Sequence, residues 1–340
     1  MAPPAVTVVM PVRQEEAHVA RAIDSLASQI EACDGELVVA EGDSTDRTRA
    51  VLHEVSKRVG FLRLVENPEG HPATGLNRAI SVARSNVIVR ADAHTEYATD
   101  YIESCLRILS ERAGPAVVGG PLVPRGSTEF GRAVASVMTS PLGVGPGAFH
   151  HARRAGPADT VYLGAFPASL ARALGGYRAF PSRAGEDADF CARARRAGYE
   201  VWLDPAIRST YRPRESASAL ALQSWRYGLA KAEILMVSRL LPSWRPLAPA
   251  ALMAVLARAA LVPNGRGSRS MVAVWLGSLA FASRSAGPWP QRARFVAAAA
   301  VMQTAYGAGS WSGLLRGRTA ARPFVGPDAG WGEVGDGSVR

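Results

Sequence analysis

Residues 6–16 read Val-Thr-Val-Val-Met-Pro-Val-Arg-Gln-Glu-Glu. An apolar, β-branched run without helical spacing breaks into Pro11-Val12-Arg13-Gln14-Glu15-Glu16, so a buried strand over residues 6 to 10 hands over to a polar segment. The same handover recurs twice. Gly35 to Ala40 is apolar and is followed by Glu41-Gly42-Asp43-Ser44-Thr45-Asp46-Arg47-Thr48; the strand pattern from Asn86 to Arg90 is followed by Asp92-Ala93-His94. Helical periodicity over residues 15 to 30, 44 to 59 and about 74 to 84 separates these runs, with a further strand pattern over 61 to 65. Short apolar strands alternating with helices of this length predict βαβ units and a mostly parallel sheet flanked by helices, a Rossmann-like α/β fold. Such sheets bind ligands at the carboxyl ends of their strands. The three polar segments therefore belong on one edge.

The chain has 340 residues, 48% of them hydrophobic, which is enough for a large buried core. Its net charge of +10 comes mostly from scattered arginine and suits anionic partners of several kinds. No RNA-recognition signature, zinc-finger spacing or basic stripe interleaved with aromatics is present, so no nucleic-acid partner is expected. A Gly-x-Gly-x-x-Gly after the first strand is also missing, which disfavours a dinucleotide oxidoreductase. Cys33, Cys105 and Cys191 are odd in number and far apart, supporting neither a disulfide framework nor a zinc site, and a reducing cytoplasm is the expected compartment. The first residues lack a basic region and a long apolar run, and read as a strand rather than a signal peptide.

Composition changes along the chain. Val117-Val118-Gly119-Gly120-Pro121 reads as strand and turn, and residues 140 to 164, rich in Gly, Pro and His, as a substrate-facing loop. Gly185-Glu186-Asp187-Ala188-Asp189-Phe190 opens a helix that Gly198 closes, with acids first and arginines last, as the helix dipole favours. Beyond Trp244 lie three apolar stretches, residues 247 to 262, 271 to 283 and 295 to 306, each shorter than the about 20 residues that cross a bilayer. Interspersed arginines predict helices resting on an anionic membrane surface, with a packed soluble subdomain as the other reading. The expected organisation is a nucleotide-binding and catalytic domain over 1–215, a connecting helix over 216–245, a hydrophobic helical region over 246–318 and a flexible tail over 319–340.

Helix capping accounts for Ser44 and Asp46 but leaves Glu41 and Asp43 without a task. A carboxylate at a sheet edge can accept the ring N–H of a uracil or the hydroxyls of a ribose, which gives those two a nucleotide-binding role. Asp92 and His94, two apart in an extended segment, can reach one ion, and oxygen with imidazole nitrogen suits Mn²⁺, or Mg²⁺ less well. Glu186 and Asp187 could supply a general base for an acceptor hydroxyl, although acids at helix starts are routine.

In their order, these segments together with Gln223-Ser224-Trp225-Arg226-Tyr227-Gly228 resemble the family 2 glycosyltransferases, and within them the ExoA type of succinoglycan biosynthesis. The likeness spans about residues 5 to 235 and includes Asp159 to Phe166 and Tyr211-Arg212-Pro213-Arg214. It implies a GT-A nucleotide-sugar-binding fold and an inverting transfer. Carried over by position, Pro11, Glu15, Glu41 and Asp43 would surround the nucleotide, Asp92 and His94 would meet the metal and diphosphate, Asp187 would be the base, and Glu186 would contact the acceptor. Gln223, Arg226 and Tyr227 would face the diphosphate or acceptor. The family commonly has Asp at the place of Glu41 and Asn at that of Gln14.

The expected activity is transfer from a nucleoside-diphosphate sugar, UDP favoured, aided by Mn²⁺ or Mg²⁺. Its acceptor would be a saccharide, a lipid-linked saccharide or a small molecule, at the inner face of a bacterial plasma membrane. A catalytically silent scaffold of a membrane assembly is the alternative, against which the intact Glu186-Asp187 pair argues. A nucleotidyltransferase would need a Gly-rich, Lys-containing phosphate loop after the first strand, which Pro11 to Glu15 is not.

Overall fold

The computed structural model describes residues 4–145, 153–239, 247–262, 266–321 and 323. Residues 146–152 of the expected loop and nearly all of the expected tail lie outside these residues. Four parallel strands, β1 (Thr7–Val12), β2 (Glu36–Glu41), β3 (Leu62–Glu66) and β4 (Val87–Arg90), form one half of an eight-stranded sheet. The other half uses β6 (Ala116–Gly120), β8 (Gly156–Pro157), β9 (Tyr162–Pro167) and β10 (Glu200–Leu203), and the order is β3-β2-β1-β4-β9-β6-β10-β8. β9 runs antiparallel to both β4 and β6. A small second sheet joins β5 (Thr95–Tyr97), β11 (Ser209–Tyr211) and β7 (Val123–Pro124).

Side-chain alternation explains why β1 is apolar after Thr7. Val8, Met10 and Val12 pack on one face with Ile23, Leu26 and Ile30 of α1 (Val19–Ala32), while Val9 packs on the other with Leu76 and Ile80 of α3 (Pro72–Ser81). A strand covered on both faces needs hydrophobes at every position. The helix α2 (Thr48–Arg58) crosses between β2 and β3, and α4 (Tyr101–Ser110) lies on the same face as α1.

Several boundaries differ from the sequence expectation, each for a local reason. Pro11 lies inside β1, opposite Ala40, rather than after it. The first helix begins at Val19, because Glu15 to His18 form a turn closed by the Glu15 carbonyl. Ser44 is not a helix cap: α2 starts at Thr48, and Asp46 Oδ1 accepts from Thr48 N at 3.0 Å. β9 sits at the centre of the sheet and begins within the stretch expected to be loop, residues 140 to 164; its backbone is irregular at Leu163, φ 59°, and Gly164, φ 148°.

Beyond α5 (Glu129–Met138) and the short α6 (Pro141–Val144) come α7 (Ala168–Ala173) and α8 (Glu186–Arg196). The carboxyl-terminal helices are α9 (Ala217–Ser238), α10 (Leu247–Leu261), α11 (Arg266–Ala282), a 3₁₀ turn at Ser283–Ala286, and α12 (Trp289–Ala320), which breaks at Gly317. α12 packs on α5 and α9, and its Phe295, Ala298 and Ala299 share a core cluster with Val134 and Val137. Among the described residues no helix is long and apolar enough to cross a membrane.

Candidate active site

The three polar segments after β1, β2 and β4 do meet. Gln14, at φ 58°, accepts from Thr45 N and Asp46 N with Oε1, both at 3.1 Å, and donates to Thr45 Oγ1 at 2.8 Å. Glu15 N donates to Thr48 Oγ1 at 2.8 Å. Glu41, 5% exposed, accepts from Ser44 N at 2.7 Å and from Arg49 Nε and Nη2 at 3.0 and 2.7 Å. Burial alone would raise its carboxyl, but these donors hold it below the ordinary value. Glu41 thus has a local task that spacing did not reveal. Its longer side chain spans the loop that Asp43 exposes: Asp43 takes a left-handed backbone, φ 54°, and stays open to solvent with Arg49 3.8 Å away.

Asp92 and His94 lie in a turn after β4, not along an extended strand, with Thr95 N donating to the Asp92 carbonyl at 3.3 Å. Tyr97 fixes this turn: its hydroxyl accepts from Asp92 N at 2.7 Å and donates to the Asp92 carbonyl at 3.1 Å. Behind it, Tyr211 stacks edge-on to both His94 and Tyr162, each at 5.9 Å, and Gln223 Nε2 donates to the Tyr211 hydroxyl at 2.9 Å.

His94 Nδ1 meets Glu15 Oε1 at 3.2 Å. Burial works against protonation of the ring, but the Glu15 bond and the Asp92 charge outweigh it and raise the pKa above 6.5. A ring whose Nδ1–H is held by a carboxylate offers Nε2 outward, the arrangement common behind metal-bound imidazoles. Asp92 spends only Oδ1 on its neighbour Arg90. The pair therefore fits a cation that draws its other ligands from elsewhere, and among the described residues no cluster of three or more His, Cys, Asp or Glu could hold a metal ion.

Gly185, at φ 81°, immediately precedes α8 and turns the chain so that Glu186 is buried and Asp187 stays half-buried. The preceding loop is pinned from two sides. His71 Nε2 bonds the Phe180 carbonyl at 2.9 Å, Ser182 N donates to the buried Glu233 of α9 at 3.1 Å, and Arg183 Nη2 donates to the Gly70 carbonyl. Glu186 is 7% exposed and pairs with Arg90 at 3.0 Å. Burial raises its carboxyl, and Arg90 opposes that rise. Tyr227 lies within electrostatic reach of Asp187, Glu186 and Arg214.

Arg183 feels Arg13 and Arg226, which together with burial, the larger cause, hold its pKa below the ordinary value. Among the described residues Arg13, Arg183 and Arg226 have no carboxylate within 4.0 Å. The rim thus favours anions. Sequence reasoning missed Arg90, Tyr97, Arg183 and the role of Tyr211. A charged residue closing the apolar run Val87-Ile88-Val89 was the one available signal, and it pointed to Arg90.

Residues 7–157 match the family described as Glycosyl transferase family 2. The chain is 29% identical over 326 residues to the succinoglycan biosynthesis protein ExoA of Rhizobium meliloti (strain 1021), covering 91% of this chain and 94% of that protein. It is 24% identical over 233 residues to the dolichyl N-acetyl-alpha-D-glucosaminyl phosphate 3-beta-D-2,3-diacetamido-2,3-dideoxy-beta-D-glucuronosyltransferase of Methanococcus voltae, covering 66% of this chain and 72% of that one. Among solved structures, the mannosyltransferase PcManGT from Pyrobaculum calidifontis, in complex with GDP-Man and Mn²⁺, matches with a TM-score of 0.57 at 21% identity, over 93% of this chain and 90% of the other. That likeness bears on the fold, which is GT-A.

Proposed function

Because residues 7–157 form a glycosyl transferase family 2 domain, we propose that this chain is an inverting, metal-dependent enzyme. It moves a sugar from a nucleoside diphosphate, UDP favoured, to an acceptor hydroxyl in bacterial polysaccharide, glycolipid or glycoconjugate synthesis. The observation that carries this reading is the convergence of Glu15, Asp92, His94 and Glu186 through the His94–Glu15 contact and the Arg90 ion pairs. That convergence joins the donor end of the sheet to the first turn of α8.

In this reading the nucleoside lies over Pro11 and Asp43, at the edge that Glu41 braces. Arg13, Arg183 and Arg226 attract the diphosphate. Mn²⁺ or Mg²⁺, held by Asp92 Oδ and His94 Nε2, would act as a Lewis acid that neutralises charge on the departing nucleoside diphosphate. Asp187, half-buried at the start of α8, takes the proton from the acceptor hydroxyl, and the resulting oxygen attacks the anomeric carbon from the face opposite the leaving group. A donor with α configuration then gives a β linkage. Glu186, Gln223 and Tyr227 line the acceptor side.

An anionic membrane surface is the proposed setting. Leu261, Met271, Val274 and Phe281 are exposed on α10 and α11, and Arg258, Arg269 and Arg284 are exposed among them. Apolar side chains ringed by arginine suit helices lying in a lipid headgroup region, where a lipid-linked acceptor would be presented.

Asp187→Asn tests the base assignment. Nucleotide binding should persist while transfer falls by about 10²- to 10⁴-fold, and the wild-type product should show inverted anomeric configuration by NMR. Near wild-type turnover in the variant would remove Asp187 from the base role, and a retained configuration would rule out single displacement.

A further inference from the structure

Arg90 is the last residue of β4 and is 7% exposed. Its Nε and Nη2 donate to Asp92 Oδ1 at 3.3 and 3.4 Å, and Nη2 also donates to Glu186 Oε1 at 3.0 Å. Nη1 is buried without a hydrogen-bond partner, and the Tyr177 ring lies 5.8 Å from the guanidinium carbon. One cation is thus divided between two acids far apart in sequence, one after β4 and one at the start of α8. The bonds to Asp92 are long, and part of the donor capacity is unspent. Leaving a buried guanidinium donor unpaired costs free energy, and here the ion pairs with both acids, which share Nη2, offset that cost.

We propose that Arg90 is a positioning residue that couples the donor-metal carboxylate Asp92 to Glu186 beside the base. The proposal rests on the reading of Asp92 as a metal ligand. A divalent cation and a guanidinium compete for the same carboxylate, because each gains from its negative charge and each repels the other. Glu186 settles that competition by drawing the guanidinium toward α8, which leaves Asp92 available. Neutralising Glu186 lets Arg90 close on Asp92, so a residue that touches no metal controls metal affinity. By reciprocity, filling the donor site strengthens the hold of Arg90 on Glu186 and steadies the first turn of α8, where Asp187 sits. Arginine is suited to this role because its planar fork reaches two acids at once, whereas a lysine ammonium is a single point.

A double-substitution cycle on binding, with no turnover involved, separates this link from plain charge attraction. Mn²⁺ uptake is followed by electron paramagnetic resonance in the presence of whichever of UDP, GDP, dTDP and CDP the unmodified chain binds. Melting curves confirm that each variant is folded. Glu186→Gln should weaken Mn²⁺ binding by about fivefold or more when Arg90 is present. In an Arg90→Lys background, which keeps the positive charge beside Glu186, the same change should cost less than about twofold. An equal loss in both backgrounds would overturn the coupling, because Glu186 would then act on the metal through space. If the unmodified chain takes up no Mn²⁺ with any of the four nucleotides, the donor-site reading falls, and the coupling falls with it.

Discussion

Glu36, the first residue of β2, shows how one residue ties together the amino ends of the parallel strands, opposite the proposed nucleotide edge. It is 1% exposed and accepts four bonds: from Thr7 Oγ1 and Arg84 N, both at 2.7 Å, from Arg84 Nε at 2.8 Å and from Arg63 Nη1 at 3.3 Å. Burial alone would raise its carboxyl, but the donors outweigh burial and hold it below the ordinary value of 4.5. A carboxyl depressed in the folded state stabilises the fold above its unfolded pKa, and that contribution is lost as pH falls below about 4.5 and through the lower folded value. Glu36→Gln should therefore cost about 2 to 3 kcal/mol near neutral pH, a gap that closes on acidification. Urea unfolding across that pH range measures it, and a gap independent of pH would disprove the linkage. Contacts of this kind were only partly legible in the sequence. The polar segments after the strands do meet at one edge of the sheet, but the partners of Glu41, eight residues on, and of His94, 79 residues back, depend on side-chain reach that spacing does not encode.

At the scale of elements, the crossing of α9 and α12 decides where Gln223, Arg226 and Tyr227 stand. A Cβ on Gly228 would come 1.9 Å from the Tyr306 carbonyl oxygen, one on Gly309 2.0 Å from that of Trp225, and one on Gly313 2.5 Å from the Ala232 Cβ. The two backbones touch, and only hydrogen fits between them. Gly309→Val should destabilise the chain by about 3 kcal/mol and lower nucleotide affinity as α9 shifts. Gly60→Ala, where nothing lies within 4 Å of a new Cβ, should stay within about 0.5 kcal/mol of the parent. Comparable melting temperatures for the two variants would contradict the close crossing. The apolar stretches at 247–262, 271–283 and 295–306 announced helices, and the structure has them. What periodicity could not announce was β9, because Gly164 and Pro167 are turn signals; Pro167 is tolerated as the last residue of the strand, and Gly164 lies beside an irregularity in the pairing with β6. The four parallel strands lacked such interruptions apart from Pro11, and were legible for that reason.

For the whole molecule, the proposed function has the parallel half of the sheet bind the donor and α8 bring the acids, while the carboxyl-terminal helices pack on α5 and present apolar and basic surface. That surface predicts flotation with phosphatidylglycerol vesicles at low salt and less with phosphatidylcholine, reduced by Val274→Ser together with Phe281→Ser. Equal recovery with both lipids, or none with either, would refute the membrane setting. Everything in the proposed function depends on Asp92 and His94 forming a metal-assisted nucleotide site. Its most direct test is the melting temperature of the chain and of His94→Ala with UDP, GDP, dTDP and CDP, with and without Mn²⁺. A ligand that binds only the folded state at about 100 times its dissociation constant adds about 2.7 kcal/mol, a shift read directly in the melt. One nucleotide should stabilise the chain, Mn²⁺ should strengthen the effect, and His94→Ala should abolish the Mn²⁺ increment. Stabilisation indifferent to both Mn²⁺ and His94, or no stabilisation by any of the four, would contradict it.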